Sequence, residues 1–202
     1  MLDLNIFEHK VAQSLIHRGY APFRPVKDSG IDFLAVDGAS GGAVRLQVKG
    51  STLHDRTEKC DQCGGQVAGH AGGWFDIDVE KARKQADKTD FYIFVWASYK
   101  KAGRMVLSHY LIVPTQELLR RIGSDKTDYP TQRIWRQRYR PWFVVQQQLS
   151  DDRAVVHDLA ARNKKIVDKV AETDGDFSEF YRNWVPVEEL CNERGRGVRL
   201  AV

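Results

Sequence analysis

The feature that most constrains this fold is an apolar hairpin interrupted by one acid. Residues 31–36 and 43–49 both have the composition of strands, and the turn between them, residues 37–42, contains three glycines. Strands joined by a glycine-rich turn pair as an antiparallel hairpin. The first strand carries Asp32, whose charge is costly in an apolar setting unless a cation or hydrogen bonds satisfy it. The hairpin must therefore supply a partner for this carboxylate.

The second strand of the hairpin contains the candidate partners. Side chains alternate between faces along a strand, so Leu46 and Val48 would face the core while Gln47 and Lys49 share the other face. The hairpin can bring Asp32 beside Gln47 and Lys49. A carboxylate, an amide oxygen and an ammonium at one strand pair suit a site for a hard divalent cation such as Mg²⁺. A purely structural ion pair between Asp32 and Lys49 is the alternative.

These residues also form a familiar pattern. Gly-Ile-Asp at residues 30–32 is followed, fifteen residues after the acid, by Gln-Val-Lys-Gly-Ser at residues 47–51. The arrangement resembles the PD-(D/E)xK nuclease superfamily over residues 4–122, with Ile31 in place of the proline and Gln47 in place of the second acid. That superfamily includes restriction endonucleases and Holliday-junction resolvases. The resemblance implies an α/β fold with a restriction-endonuclease-like mixed sheet flanked by helices.

The resemblance also implies an active site. Many members place a glutamate of the first helix against the metal, and Glu8 is the matching residue. Glu8 and Asp32 would then hold Mg²⁺ or Mn²⁺ together with oxygens of Gln47 and of the Val48 main chain. Because glutamine is neutral, the two acids must carry the charge of the metal. Lys49 would position the attacking water and balance charge in the transition state.

A metal-dependent endonuclease that hydrolyses DNA phosphodiester bonds is therefore the expected function. Cutting both strands of a duplex requires two such sites, so we expect a homodimer. The neutral Gln47 favours an alternative, a catalytically weakened nuclease-fold subunit that binds DNA in a larger DNA-processing or defence complex. A third alternative is a zinc-stabilised scaffold in which Asp32 and Lys49 pair only structurally.

The hydrophobic pattern divides the chain into a nuclease-like core, residues 1–123, and a basic, aromatic extension with C-terminal helices, residues 124–202. In the core, beyond the hairpin, we predict helices at 4–19, 77–88 and 116–122, an extended segment at 22–26, and strands at 91–97 and 105–113. In the extension we predict helices at 151–171 and 177–184, the second ended by Pro186.

Residues 50–74 form a small insertion rich in glycine, cysteine and histidine, without a hydrophobic period. Cys60 and Cys63, separated by two residues, are typical of a zinc knuckle, and tetrahedral zinc needs two further ligands. His54 and His70 flank the cysteines and would complete a Cys2His2 site, whose metal would replace a missing core. A redox-active cysteine pair and two inert thiols are the alternatives.

A second cluster lies in the extension, where residues 133–140 contain four arginines and two aromatic residues. Such a segment suits a surface that contacts phosphates and stacks on bases. The alternative is a solvated basic segment whose aromatic rings pack inward. The candidate nucleic-acid-binding residues are Arg133, Trp135, Arg136, Arg138, Tyr139 and Arg140. The net charge of +4 permits a polyanionic partner without requiring one.

The remaining composition bears on location. No segment approaches the roughly 18 apolar residues that a membrane-spanning helix needs. The first five residues, Met-Leu-Asp-Leu-Asn, have neither the basic nor the apolar region of a signal peptide. Three cysteines without an export signal argue against a disulfide scaffold. We therefore expect a cytoplasmic protein that does not contact a membrane.

Overall fold

The computed structural model describes residues 6–26, 30–52, 54–56, 70–99, 105–122, 134–135, 138–147, 154–158 and 177–199. Its helices are α1 (Ile6–His17), α2 (Val79–Lys84), α3 (Thr115–Ile122) and α4 (Val185–Arg199), with a short 3₁₀ helix at Ser178–Phe180. Its strands are β1 (Tyr20–Phe23), β2 (Phe33–Asp37), β3 (Ala43–Thr52), β4 (His54–Arg56), β5 (His70–Trp74), β6 (Ile77–Asp78), β7 (Phe91–Tyr99), β8 (Met105–Pro114), β9 (Ile134–Trp135), β10 (Arg138–Tyr139), β11 (Trp142–Gln147) and β12 (Ala154–Asp158).

The main sheet has five strands in the order β1-β2-β3-β7-β8. Strands β1, β2 and β3 are antiparallel neighbours. The chain then passes through α2 before β7, which pairs with β3 in parallel and with β8 in antiparallel fashion. The predicted α/β class, a mixed sheet flanked by helices, is confirmed. None of the helices in the described ranges has both the length and the apolar character needed to cross a membrane.

Strand β7 is buried on both faces because a hydrophobic core covers each side of the sheet. Tyr92, Phe94 and Trp96 belong to one core, which also contains side chains of α2 and α3. Ile93 and Val95 belong to the other core, which is built with α1 and α4. A strand covered on both faces needs a continuous apolar run, and this accounts for the strength of the strand signal in the sequence.

The hairpin turn is organised by Asp37. Its carboxylate accepts a hydrogen bond from the Ser40 N–H at 2.8 Å, and its main-chain carbonyl accepts one from the Gly41 N–H at 2.9 Å. Gly41 has a φ of 74°, a conformation that glycine adopts without strain. The turn sets the register of the hairpin, in which Phe33 lies opposite Leu46. The predicted hairpin is confirmed.

Helix α4 covers the hairpin and completes one of the two cores. Trp184, Val187 and Cys191 are buried in this core together with residues of α1. Gly42 lets the helix approach closely, because a Cβ at this position would lie 1.7 Å from the Cys191 carbonyl oxygen. The end of the chain that the sequence assigns to an extension therefore belongs to the same core as its first helix.

Asp90 joins α4 to the sheet. Its carboxylate accepts hydrogen bonds from Arg194 at 2.7 and 2.8 Å, and from the Arg45 guanidinium at 2.8 and 3.2 Å. The Arg45 main-chain N–H adds a further bond at 2.7 Å. Burial acts to raise the pKa of Asp90, but the hydrogen bonds from both arginines outweigh it and hold the pKa well below its usual range.

The predicted helix at 151–171 is wrong where the structure describes it. Residues Ala154–Asp158 form β12, which pairs along its length with β11. Val155 and Val156 are β-branched and suit a strand, and pairing with β11 overrides the weak helical spacing of the segment. Residues 159–171 lie outside the described part of the chain.

The predicted role of Pro186 is also wrong. The sequence predicts a helix at 177–184 that Pro186 ends, whereas the structure has only the 3₁₀ turn Ser178–Phe180 there. Pro186 lies in the first turn of α4, which continues to Arg199. Proline is tolerated in a first helical turn because the N–H groups there have no partner within the helix. The proline therefore begins a helix instead of ending one.

The insertion at residues 50–74 contributes strands. Strand β3 continues to Thr52, β4 pairs with β5, and β5 pairs with β11. With β12 they form a four-stranded sheet, and β6, β10 and β9 form a three-stranded one. Because β5 and β11 come from opposite sides of the predicted division at residue 123, the core and the extension share a sheet.

We expect Asp90→Asn to lower the free energy of unfolding by about 1–3 kcal/mol at pH 7, since two guanidinium groups lose their carboxylate partner. The pKa of Asp90 is lowered from an ordinary 3.8, so its contribution is present above about pH 4 and is lost as pH falls toward the folded-state value. The difference between wild type and variant should therefore shrink at pH 3. Urea denaturation at both pH values measures it.

Lys84→Ala is the matched control, because Lys84 pairs with Glu80 on the exposed face of α2. We expect its denaturation curve to overlay that of the wild type. Equal stability of Asp90→Asn and wild type at pH 7 would contradict the role of Asp90 in holding α4.

Candidate active site

Asp32 lies at the entry to β2 and is held by β3. Its Oδ2 accepts a hydrogen bond from the Val48 N–H at 2.6 Å and another from Nε2 of Gln47 at 2.5 Å. The Asp32 N–H donates to the Leu46 carbonyl at 2.8 Å, which continues the hairpin ladder. The acid that interrupts the apolar segment is thus satisfied by the returning strand, as its desolvation requires.

Gly30 shapes the backbone immediately before Asp32. Its φ is 81°, and a Cβ at this position would lie 1.9 Å from the side-chain nitrogen of Gln85. Its carbonyl accepts a hydrogen bond from the Thr89 hydroxyl at 3.4 Å. The positive φ favours glycine here, while the neighbouring atoms belong to the flexible end of the Gln85 side chain.

Asp32, Gln47 and Lys49 line one cleft of about 640 Å³. Its lining comes from the segment before β2, from β3, β6 and β7, and from α2. Gln47 lies opposite Tyr92 in the parallel ladder between β3 and β7, so the two side chains share a face. The other polar side chains that line the cleft belong to Arg24, Asp78, Lys81, Gln85 and Tyr92.

Lys49 is partly withdrawn from solvent, and its burial lowers its pKa from the ordinary value. The charge of Asp32 opposes this shift, while the nearby Lys81 adds to it. A lysine with a lowered pKa releases its proton more readily than an exposed one. Lys49 can donate hydrogen bonds to a ligand in the cleft.

The pKa of Tyr92 shifts in the opposite direction to that of Lys49. Burial raises its pKa to about 12, and the charges of Asp32 and Asp78 act in the same direction. The hydroxyl therefore stays protonated at neutral pH and can donate a hydrogen bond to an anionic ligand.

Cationic side chains outnumber carboxylates in the cleft, with Arg24, Lys49 and Lys81 against Asp32 and Asp78. Both carboxylates already accept hydrogen bonds from the main chain. Asp78 caps α2 by accepting the Lys81 N–H at 2.8 Å, and Asp32 accepts the hydrogen bonds described above. The arrangement suits an anionic ligand such as a phosphate.

Glu8 contacts the cleft only through another residue. Its side chain is buried on α1 and forms an ion pair with Arg24 at 3.6 Å. Arg24 lines the cleft, whereas Glu8 does not. The structure therefore brings three of the predicted catalytic residues together and places the fourth, Glu8, against Arg24.

The donor atoms fit a hard cation that keeps most of its water ligands. Asp32, Gln47 and Val48 offer a carboxylate, an amide and a main-chain oxygen, and Mg²⁺ is commonly held by one or two carboxylates together with substrate phosphates. Within the described ranges, no group of three or more His, Cys, Asp or Glu residues could hold a metal by itself.

The predicted zinc site falls largely outside the described residues. Cys60 and Cys63 lie there, and the histidine positions are described only as backbone. His54 lies opposite Gly72, and His70 lies opposite Arg56, in the antiparallel pair of β4 and β5. The two histidine positions are thus close along one ladder, and the zinc site stays a prediction.

Two arginines of the predicted nucleic-acid surface are described in full. Arg138 donates two hydrogen bonds to Asp76, at 2.9 and 2.7 Å, and Arg140 lies 3.6 Å from the same carboxylate. Both side chains are partly exposed. The remaining arginines and the side chain of one tryptophan of this surface lie outside the described residues: Arg133, Arg136 and Trp135.

The prediction that Tyr139 contacts nucleic acid is wrong. Its side chain is only 2% exposed and packs in the aromatic core with Phe143. Because side chains alternate along β10, Tyr139 faces inward while Arg138 on the same strand reaches solvent. A buried ring cannot stack on a base, so this part of the segment follows the alternative in which the aromatic residues pack inward.

Five polar cleft residues were not predicted as site residues: Arg24, Asp78, Lys81, Gln85 and Tyr92. Lys81 and Gln85 are four positions apart, which places them on one face of a helical segment, and Tyr92 is a hydroxylated ring within an apolar strand. These patterns are weak signals that could have identified them. Arg24 offers no such signal, because only the tertiary structure brings its extended segment to the cleft.

No protein-family model, no curated protein and no solved structure matches this chain.

We expect Lys49→Met to raise the melting temperature by about 2–4 °C at pH 7, equivalent to about 1 kcal/mol, because it removes a desolvated ammonium. At pH values between the lowered pKa of Lys49 in the folded protein and the ordinary value of 10.5, the folded protein binds fewer protons than the unfolded chain. Below this pH window Lys49 is an ammonium in both states, and its desolvation lowers the free energy of unfolding. The advantage of the variant should shrink as pH rises toward 10.5. Thermal melts at several pH values measure it, and a variant that melts well below the wild type would indicate a structural Asp32–Lys49 ion pair.

Proposed function

We propose that this protein is a metal-dependent endonuclease that hydrolyses DNA phosphodiester bonds. The observation that carries the proposal is the convergence of Asp32, Gln47 and Lys49 in one basic cleft. The three side chains differ in chemistry: one is an acid, one an amide and one a base. Their meeting at a strand pair is what the resemblance to PD-(D/E)xK nucleases implies.

The order of elements supports the same proposal. Helix α1 is followed by the antiparallel strands β1, β2 and β3, and after β4, β5 and β6 by α2 and by β7, which is parallel to β3. Members of the superfamily run from a helix through the strands that bear the acid and the lysine to a second helix and strand. We therefore propose that the mixed sheet is of the restriction-endonuclease-like type.

In this proposal a divalent cation, Mg²⁺ or Mn²⁺, would be held by Asp32 with oxygens of Gln47 and of the Val48 main chain. When bound, it would polarise the scissile phosphate and lower the pKa of a water ligand. Glu8 stays in the proposal as a second carboxylate, although in this structure it contacts Arg24 instead of lining the cleft. The phosphate of the substrate would supply a further anionic ligand.

In this proposal different side chains contact the phosphate and the attacking water. Arg24, Lys81 and Tyr92 line the cleft and would donate hydrogen bonds to the non-bridging phosphate oxygens. Such fixed donors stabilise the negative charge that grows on the phosphate in the transition state. Lys49 lines the cleft and, as an ammonium, would orient the attacking water and balance the charge of the transition state.

The neutral Gln47 favours a second candidate, a catalytically weakened nuclease-fold subunit that binds DNA in a larger complex. Such a protein would keep the basic cleft and would bind DNA without cutting it. Cleavage of both duplex strands requires two sites, so the endonuclease proposal includes a homodimer. An assay of cleavage separates the two candidates.

We expect Asp32→Ala and Lys49→Met each to reduce DNA cleavage by at least about 100-fold, because each removes a group that acts on the attacking water or on the metal. Plasmid, single-stranded and branched DNA are incubated with Mg²⁺ or Mn²⁺, and the products are resolved on gels. Lys84→Ala, on the exposed face of α2, should cut as the wild type does. A Lys49→Met protein with full activity would refute the assignment, and a wild type that binds but never cuts DNA would favour the second candidate.

We also expect Mg²⁺ to bind weakly to the protein alone and at least tenfold more tightly in the presence of DNA, since substrate phosphates complete the ligand set. Isothermal titration calorimetry of the Lys49→Met variant, which is expected not to cut, with and without an unmodified DNA oligonucleotide, measures the difference. Asp32→Ala should abolish the metal-dependent heat in both titrations. Equal Mg²⁺ affinity with and without DNA would contradict the shared metal site.

A further inference from the structure

A second groove, of about 390 Å³, adjoins the cleft at Lys49. Lys49 lines both cavities, and Trp74 and Arg140 line only the second one. The indole of Trp74 is 48% exposed, whereas the described side chains of Trp96 and Trp184 are almost fully buried. A large exposed ring beside the proposed catalytic lysine is the feature that the proposed mechanism does not use.

The backbone that carries Trp74 is firmly anchored. Trp74 ends β5 and lies opposite Trp142 in the ladder with β11. The next residue, Phe75, is 4% exposed, and its ring packs edge-on against Phe94 with centroids 5.1 Å apart. The Phe75 N–H donates to the Pro141 carbonyl at 3.1 Å. The exposed indole is therefore presented by a rigid strand end instead of a loose loop.

The groove is complementary to a phosphate as well as to an aromatic ring. Arg140 lies at its edge with its side chain 49% exposed. Its nearest carboxylate, Asp76, already accepts two hydrogen bonds from Arg138 and lies 3.6 Å from Arg140. Lys49, Trp74 and Arg140 thus line one groove, which Asp76 also lines.

We propose that this groove holds an unpaired nucleotide next to the phosphate at Lys49, with its base stacked on Trp74 and its phosphate at Arg140. The inference rests on the proposed function and deepens it by naming the substrate class. A base inside a duplex is already stacked on its neighbours and cannot lie on the indole without leaving the helix. The strand that is cut is therefore single-stranded or locally unpaired beside the cut.

The binding test uses labelled DNA strands of about 12 nucleotides without metal, so that no cleavage occurs. The probes are an ordinary single strand, a fully abasic strand with the same phosphates, and a blunt duplex. The proteins are wild type, Trp74→Phe, Trp74→Leu and Arg140→Gln. Ile16→Ala is the control, since Ile16 is 60% exposed on α1 and lines neither cavity. Fluorescence anisotropy gives each affinity, and thermal melts show that each variant is folded.

We expect Trp74→Leu to weaken binding of the ordinary strand by about 5- to 100-fold, and Trp74→Phe to retain most of the affinity, because stacking needs an aromatic face. The abasic strand should bind wild type and Trp74→Leu equally. Arg140→Gln should weaken binding of all three probes and reduce the slope of log affinity against log salt by about 0.7–0.9. With Mn²⁺ present, the wild type should cut single strands faster than duplex, and Trp74→Leu should lose this preference.

The outcomes separate this inference from the function on which it rests. A wild type that neither binds nor cuts any of the DNA probes would refute the proposed function. A wild type that cuts DNA while Trp74→Leu binds the ordinary strand equally well would overturn the Trp74 subsite and leave the endonuclease proposal intact. Equal loss of affinity in Trp74→Leu and Trp74→Phe would also overturn it, because that result would reflect disturbed packing.

Discussion

The parallel pairing of β3 with β7 is the constraint on which the rest of the structure depends. Strand β7 lies between two hydrophobic cores, so both of its faces are apolar along most of its length. Strand β3 beside it has Leu46 and Val48 in one core and Gln47 and Lys49 on the opposite face. Tyr92 belongs to the aromatic core on that opposite face and also lines the cleft. The polar site thus lies next to the aromatic core on the same face of the sheet.

This position explains the electrostatics of the site. Groups at the edge of an aromatic core are partly desolvated, and desolvation is the largest influence on the pKa of both Lys49 and Tyr92. The same burial makes hydrogen bonds between Asp32 and β3 stronger than they would be in water. Partly buried charged groups such as Lys49 lower the free energy of unfolding, and such a cost is common at functional sites.

The second half of the chain contributes a helix to one core and a strand to the sheet that contains β5. Helix α4 closes one core and is tied to the sheet through Asp90, and β11 pairs with β5 to hold Trp74 at the rim of the groove. Residues remote in sequence therefore shape the surface on which a strand of nucleic acid would lie. Arg140, next to β10, reaches the same groove from this second half.

The sequence by itself determined the hairpin and the central strand, because a glycine turn, a two-residue alternation and a long apolar run are local signals. For the same reason it identified Asp32, Gln47 and Lys49 as neighbours. Only the tertiary structure decided that Tyr139 faces inward, that Pro186 begins a helix and that β12 is a strand. It also decided that Glu8 pairs with Arg24 and that Trp74 lies beside Lys49. Those outcomes depend on contacts between segments far apart in the chain, and local spacing carries no information about such contacts.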